Sequence, residues 1–190
     1  MMIKHIIISS CLLLLLSTCC SRKDQTRTYE FLLDDEFTKF EIKVPAKYDT
    51  SYITQYKPES PDIVTIHHIQ NRLEPIHKNT TWKKSEELDP SPIQIRTVYD
   101  SKSELTFKSV KDKLEFYKSY LQLFDSLAKV RISKIVNNDM AIFGYSTQTY
   151  SYVFAWKFFN KNDIEILFSS KDTTNFFSES ENIIKTVRIR

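Results

Sequence analysis

Apolar and polar residues alternate along several short stretches of the chain, which is the period of a half-buried β-strand. In the clearest case, Phe37 to Val44, the residues Phe40, Ile42 and Val44 alternate with charged neighbours before Pro45 ends the stretch. Similar patterns predict strands over 29–33, 63–69, 93–99, 130–136, 140–147, 150–159, 164–168 and 187–189. Residues 46–61 and 72–92 are broken by prolines and are predicted to be loops.

A longer period predicts a helix from about Lys102 to Ala128. Its apolar residues recur at steps of three and four and form one stripe: Phe107, Val110, Leu114, Tyr117, Leu121, Phe124 and Ala128. Ser101 and Glu104 have the spacing of a capping box. We expect the stripe to pack on the protein's own sheet, with a coiled-coil contact to a partner as the alternative. A second helix is predicted over about 174–185.

The last third of the chain predicts an antiparallel meander. Asn137, Asn138 and Asp139 are typical of a tight turn, because such residues tolerate a positive φ. The stretch 150–159 is apolar on both faces and is therefore predicted to be a central strand. These elements together predict one α+β domain over residues 29–190, with a mainly antiparallel sheet covered by one long helix and a C-terminal helix.

The N-terminus has a different pattern. Lys4 and His5 precede a mostly apolar run over residues 6–16, which is typical of a secretory signal and shorter than the roughly 20 residues that span a bilayer. Leu16-Ser17-Thr18 before Cys19 resembles the lipobox of bacterial lipoproteins. The resemblance implies a signal peptide over 1–18, a diacylglycerol on Cys19, with Cys20 as the alternative, and a lipidated polar tether over 19–28. The alternatives for this N-terminal segment are an ordinary cleaved signal peptide and a retained transmembrane helix.

The residues after the lipobox predict where the protein lies. Cys20 or Ser21, and not Asp, follows the modified cysteine, so the resemblance implies sorting to the outer membrane. Arg22 and Lys23 stand where surface-exposed relatives have an acidic tract, which favours the periplasmic face.

Composition excludes several classes of function. Removal of the signal takes away Lys4 and leaves 26 Lys plus Arg against 24 Asp plus Glu, a net charge of +2, so we expect no nucleic-acid partner. Every cysteine lies at positions 11, 19 or 20, so the domain offers neither a disulfide nor a thiolate site. Gly144 is the only glycine, which excludes glycine-rich phosphate loops and the nucleophile elbow.

No catalytic, metal or cofactor site is predicted. His67 and His68 would point to opposite faces of a strand and could not share a metal ion. Tyr52, Tyr56 and Trp82 are large aromatic residues in proline-broken segments, and such residues often anchor a protein partner. We take these three as candidate contacts, with packing over the sheet as the alternative.

The order of elements resembles a known family. A strand ending in Val44-Pro45, one long helix, a meander, and a terminal helix running into Ile183 to Ile189 are similar to the PsbP-like α/β/α sandwich, which includes DcrB-type envelope lipoproteins. The resemblance implies a non-enzymatic scaffold, chaperone or accessory factor. We therefore expect a non-catalytic, lipid-anchored envelope protein that binds another protein, as an accessory, chaperone or immunity-type module. A receptor for a small molecule or glycan, built on the aromatic loops, is the alternative.

Overall fold

A computed structural model describes residues 25–32, 38–56, 64–71, 92–98, 107–159 and 162–190 of the chain. Its elements are β1 (Thr26–Leu32), β2 (Lys39–Pro45), β3 (Thr50–Tyr56), β4 (Val64–Gln70), β5 (Ile93–Val98), α1 (Val110–Phe124), β6 (Lys129–Val136), β7 (Met140–Ser146), β8 (Ser151–Phe159), β9 (Asn162–Ser170), α2 (Phe176–Ile184) and β10 (Arg188–Ile189). The proposed lipid site at Cys19 or Cys20 and the candidate contact Trp82 lie outside these residues. Within the described residues, neither helix is long and apolar enough to cross a bilayer.

The described strands form two antiparallel sheets. The larger sheet has seven strands in the order β3-β4-β5-β9-β8-β7-β6, and the smaller has three in the order β1-β2-β10. The predicted meander is confirmed, since β6 to β9 are consecutive neighbours. Asn137, in the turn between β6 and β7, has a φ of 59°, the positive value that its sequence suggested. The chain thus folds as the predicted mainly antiparallel α+β domain.

The main core lies between the two sheets. Phe40, Ile42 and Val44 of β2 are fully buried, as their alternation predicted, and they belong to one cluster with Ile69, Ile166 and other residues of the large sheet. Helix α2 closes the same core through Ile183 and Ile184. The smaller sheet and α2 therefore cover one face of the large sheet.

Helix α1 covers the opposite face over β6 to β8. Val110 and Leu114 pack with Ala141, Phe143 and Trp156, so the stripe does contact the protein's own sheet. Both predicted boundaries of the helix were wrong: it begins at Val110, with Ser109 as its N-cap, and ends at Phe124, so Ala128 lies beyond it. The predicted capping residues Ser101 and Glu104 lie outside the described residues. Asp125 ends the helix, since its Oδ1 accepts hydrogen bonds from the backbone nitrogens of residues 127 and 128.

The prediction of a loop over 46–61 was also wrong. Residues Thr50–Tyr56 form β3, the edge strand of the large sheet, paired along its length with β4. The prolines at 58 and 61 follow the strand and do not interrupt it. Pairing with β4 supplies the hydrogen bonds that a polar segment of this kind lacks on its own, so tertiary context overrode the weak local pattern.

Candidate functional site

The candidate contact residues Tyr52 and Tyr56 lie on β3 and not in a loop. The Tyr52 ring stacks on His68 of β4, with ring centroids 4.5 Å apart and planes 1° from parallel. The Thr54 hydroxyl lies 2.7 Å from Nε2 of the same histidine. Tyr52 is thus partly used in packing, and its role as a partner contact stays a prediction together with those of Tyr56 and Trp82.

The two adjacent histidines face opposite sides of the sheet, as the strand period predicted. His67 packs against Phe31 of the small sheet at 4.4 Å, whereas His68 packs on the other face. Burial, with a smaller effect of the neighbouring His67, lowers the pKa of His68 to about 4. Among the described residues there is no group of three His, Cys, Asp or Glu side chains that could hold a metal ion.

A buried carboxylate lies on the face of the sheet that α1 covers. Glu165 of β9 is 2% exposed and accepts hydrogen bonds at both oxygens. Nε1 of Trp156 donates to Oε2 at 2.8 Å, and Nε of Arg96 donates to Oε1 at 2.8 Å. Lys113 of α1 is also buried, with its Nζ 5.3 Å from the centroid of the Trp156 ring. Because both oxygens are engaged, this cluster stabilises a buried charge.

Sequence reasoning missed this cluster. The strands predicted over 150–159 and 164–168 would place Trp156 opposite residue 167, whereas β9 begins at Asn162 and the observed register pairs Trp156 with Glu165. The pairing of Arg96 with Glu165 joins β5 to β9, which are 69 residues apart, and no local pattern indicates it.

An exposed apolar surface lies where α1 ends. We call Tyr120, Leu123, Phe124, Leu127 and Val130 the helix-end patch, and these side chains are 47%, 81%, 71%, 63% and 44% exposed. The rings of Tyr120 and Phe124 stack with centroids 4.2 Å apart. The stripe prediction had placed Phe124 against the sheet, and this was wrong, since the helix runs past the part of the sheet that it covers.

A cleft of about 520 Å³ lies beside the helix-end patch, between the ends of β6 and β7 and the start of α2. Leu127 and Phe177 supply apolar walls, and Lys129 and Arg131 supply two cations. Nε of Arg131 donates to the hydroxyl of Ser146 at 2.9 Å. No Asp or Glu belongs to the described lining of this cleft.

Fold and surfaces together define a two-sheet α+β domain with one helix on each side of the larger sheet and an exposed apolar helix end. No family model and no curated protein matches the sequence. Among solved structures, the fold is similar to the solution structure of cyanobacterial PsbP from Synechocystis sp. PCC 6803, with 8% identity, a TM-score of 0.45, and coverage of 90% of this chain and 96% of that chain.

Proposed function

We propose that the protein is a non-catalytic, lipid-anchored lipoprotein of the cell envelope that binds another protein through the helix-end patch. It would act as an accessory factor, a chaperone or an immunity-type module. The observation that carries the proposal is the exposed apolar C-terminal end of α1. One face of the helix packs on its own sheet, while Leu123 and Phe124 are 81% and 71% exposed.

The exposed side chains are of the kind that anchor interfaces. Burial of one Leu or Phe side chain stabilises a complex by about 1.5 to 3 kcal/mol before the costs of association are subtracted. Aromatic residues dominate binding energy in many interfaces, and Tyr120 and Phe124 already stack, so they would lose little side-chain freedom on binding. An uncovered patch of this kind marks an interaction site.

The chemistry of the patch favours an apolar protein surface as its occupant. The patch itself contains no cation, whereas segments that bind anionic membranes carry clusters of about four to eight Lys or Arg residues. The carboxylate of Asp125, next to the patch, caps the turn that follows α1. A partner therefore meets apolar side chains without having to neutralise a charge within the patch.

The anchor completes the proposal. A lipid on Cys19, or on Cys20, would hold the domain at the outer membrane, facing the periplasm. Confinement at a membrane raises the effective concentration of the domain, so that a patch of modest size gives sufficient occupancy.

The test is photocrosslinking in the native envelope. A photoreactive phenylalanine analogue replaces Leu123 in one variant, and the partly exposed Lys118 on the same helix in a control. We expect a crosslinked protein from position 123 and none from position 118. Binding of that purified protein should then be lost in the variant Leu123→Ser/Phe124→Ser, which must keep the wild-type melting temperature because both side chains are exposed.

Three results would contradict the proposal: equal products from both positions, crosslinks to lipid alone, or crosslinks only between copies of this chain. A third variant with the analogue at Tyr52 tests the surface that the sequence suggested. A specific product from position 52 with none from position 123 would move the contact to the edge strand β3.

A further inference from the structure

The cleft beside the helix-end patch combines charge and apolar surface in one cavity. Lys129 and Arg131 come from β6, and Leu127 precedes the strand. Phe177, in the first turn of α2, forms part of the wall and also packs against the core. The cavity therefore offers positive charge next to two hydrophobic side chains.

The two cations are available to a ligand. Nε of Arg131 donates to Oγ of Ser146 at 2.9 Å, which fixes the guanidinium and leaves its terminal nitrogens free to donate. Neither Lys129 nor Arg131 forms an ion pair with any carboxylate of the described residues, whereas Lys134 on the same strand pairs with Glu181. Two adjacent cations that pair with no carboxylate in the described part of the chain attract an anion.

A β-bulge places Arg131 in this position. The register of β6 against β7 shifts between Val130 and Ile132, so Arg131 has no partner residue across the ladder. A bulge of this kind redirects a side chain and occurs often beside binding sites. The side chain of Arg131 reaches Ser146, which is paired with Lys129. Both cations therefore lie beside Ser146 at one end of the cleft.

We propose that this cleft binds a carboxylate or phosphate group carried by an apolar chain. The volume of about 520 Å³ is within the range of small-molecule sites, about 300 to 1,000 Å³. The planar guanidinium and the Ser146 hydroxyl match the oxygens of an anionic group, while Leu127 and Phe177 cover its apolar part. The site shares Leu127 with the helix-end patch but is argued from different residues, Lys129, Arg131 and Phe177, and the occupant that we propose is a free small amphiphile.

The test uses the full mature chain with Cys19→Ala and Cys20→Ala, labelled with ¹⁵N for NMR. Octanoate is the probe. Acetate has its charged group without the long apolar chain, and 1-octanol has the chain without the charge. Phosphatidylglycerol vesicles test whether the ligand is instead a lipid headgroup. We expect octanoate to shift the amide resonances of Arg131 and Gln148, and to bind more tightly than acetate or octanol. Lys129→Gln/Arg131→Gln should weaken it by at least about tenfold.

Matched variants complete the design. Lys111→Gln removes an exposed charge at the other end of α1 and should leave the affinity for octanoate unchanged. Leu127→Ser should weaken the binding of octanoate by about fivefold and leave the binding of acetate unchanged, since Leu127 contributes only apolar surface. The melting temperature of each variant shows that its fold is intact.

The proposal is overturned if octanoate shifts resonances elsewhere on the domain, or if the double variant binds it as well as wild type does. It is also overturned if octanoate fails to bind, whether or not vesicles bind through the same two cations. None of these results decides the proposal for the helix-end patch, because the crosslinking positions 123 and 118 do not line the cleft.

Discussion

The buried carboxylate of Glu165 gives a prediction whose size follows from its contacts. Glu165→Gln keeps the volume but replaces one acceptor oxygen with an NH₂ donor, so one of the two observed donors must lose its acceptor. Arg96 is 43% exposed and can turn to water, whereas Trp156 is fully buried and cannot. The amide oxygen should therefore keep the bond to Trp156, and the amide nitrogen should face Arg96.

The expected loss of stability is the sum of two effects. Loss of the charge-assisted bond from Arg96, reduced by solvent screening, costs about 1 to 2 kcal/mol. Conversion of the Trp156 bond from a charged to a neutral acceptor costs about 0.5 to 1 kcal/mol. The free energy of unfolding should fall by about 1.5 to 3 kcal/mol, which lowers the melting temperature by roughly 3 to 12 °C in a domain of this size.

Urea denaturation followed by far-ultraviolet circular dichroism measures this loss. Glu30→Gln, on the edge strand β1, is the control, since Glu30 is exposed and should change stability by less than about 0.5 kcal/mol. A double-mutant cycle with Arg96→Gln isolates the coupling of the ion pair. If Glu165→Gln is as stable as the control, the carboxylate does not depend on these donors and the reasoning is refuted.

Three further predictions follow from other parts of the molecule. Gly144→Ala should lower the free energy of unfolding by about 1 to 3 kcal/mol, because a Cβ there would lie 3.2 to 3.3 Å from Val153, Ile132 and Phe177. The control is Ser133→Ala at an exposed position of β6, which should leave stability unchanged. Equal melting curves for the two variants would disprove this prediction. Burial holds the pKa of His68 at about 4, so the unfolded chain binds a proton that the folded chain does not between pH 6.5 and 4. Stability should be complete above pH 6.5 and fall by about 1 to 3 kcal/mol towards pH 4, and His68→Phe should flatten this slope in denaturation measured against pH. Intact mass of the native mature protein should show added acyl chains that Cys19→Ala removes and Cys20→Ala keeps; an unmodified soluble product would exclude the lipoprotein assignment.

Local patterns predicted most of the strands and the packed half of α1. The alternation in β2 placed Phe40, Ile42 and Val44 in the core, and the stripe from Val110 to Leu121 was placed correctly on the sheet. Such predictions succeed because backbone geometry sets the spacing of side chains that share a face, and a few residues are enough to show that spacing. The prediction failed for β3 because its local pattern is weak, and the segment forms a strand through its pairing with β4.

The candidate surfaces were harder to predict than the elements. The sequence pointed to Tyr52, Tyr56 and Trp82, which stay predictions, and it did not indicate the exposed patch at the end of α1 or the cleft beside it. Phe124 continues the helical stripe and is nevertheless exposed, because exposure depends on where the covered part of the sheet ends. That limit is a property of the assembled sheet and not of the helix.

The sequence by itself determined the α+β class, the strand period, the turn at 137–139 and the absence of cysteine and glycine-rich chemistry from the domain. Only the tertiary structure decided that β5 pairs with β9, which brings Arg96 to Glu165, and that Arg131, at a register shift between β6 and β7, bonds to Ser146. The physical reason is distance along the chain. Periodicity acts over a few residues, whereas these contacts depend on strands that are brought together only when the whole sheet forms.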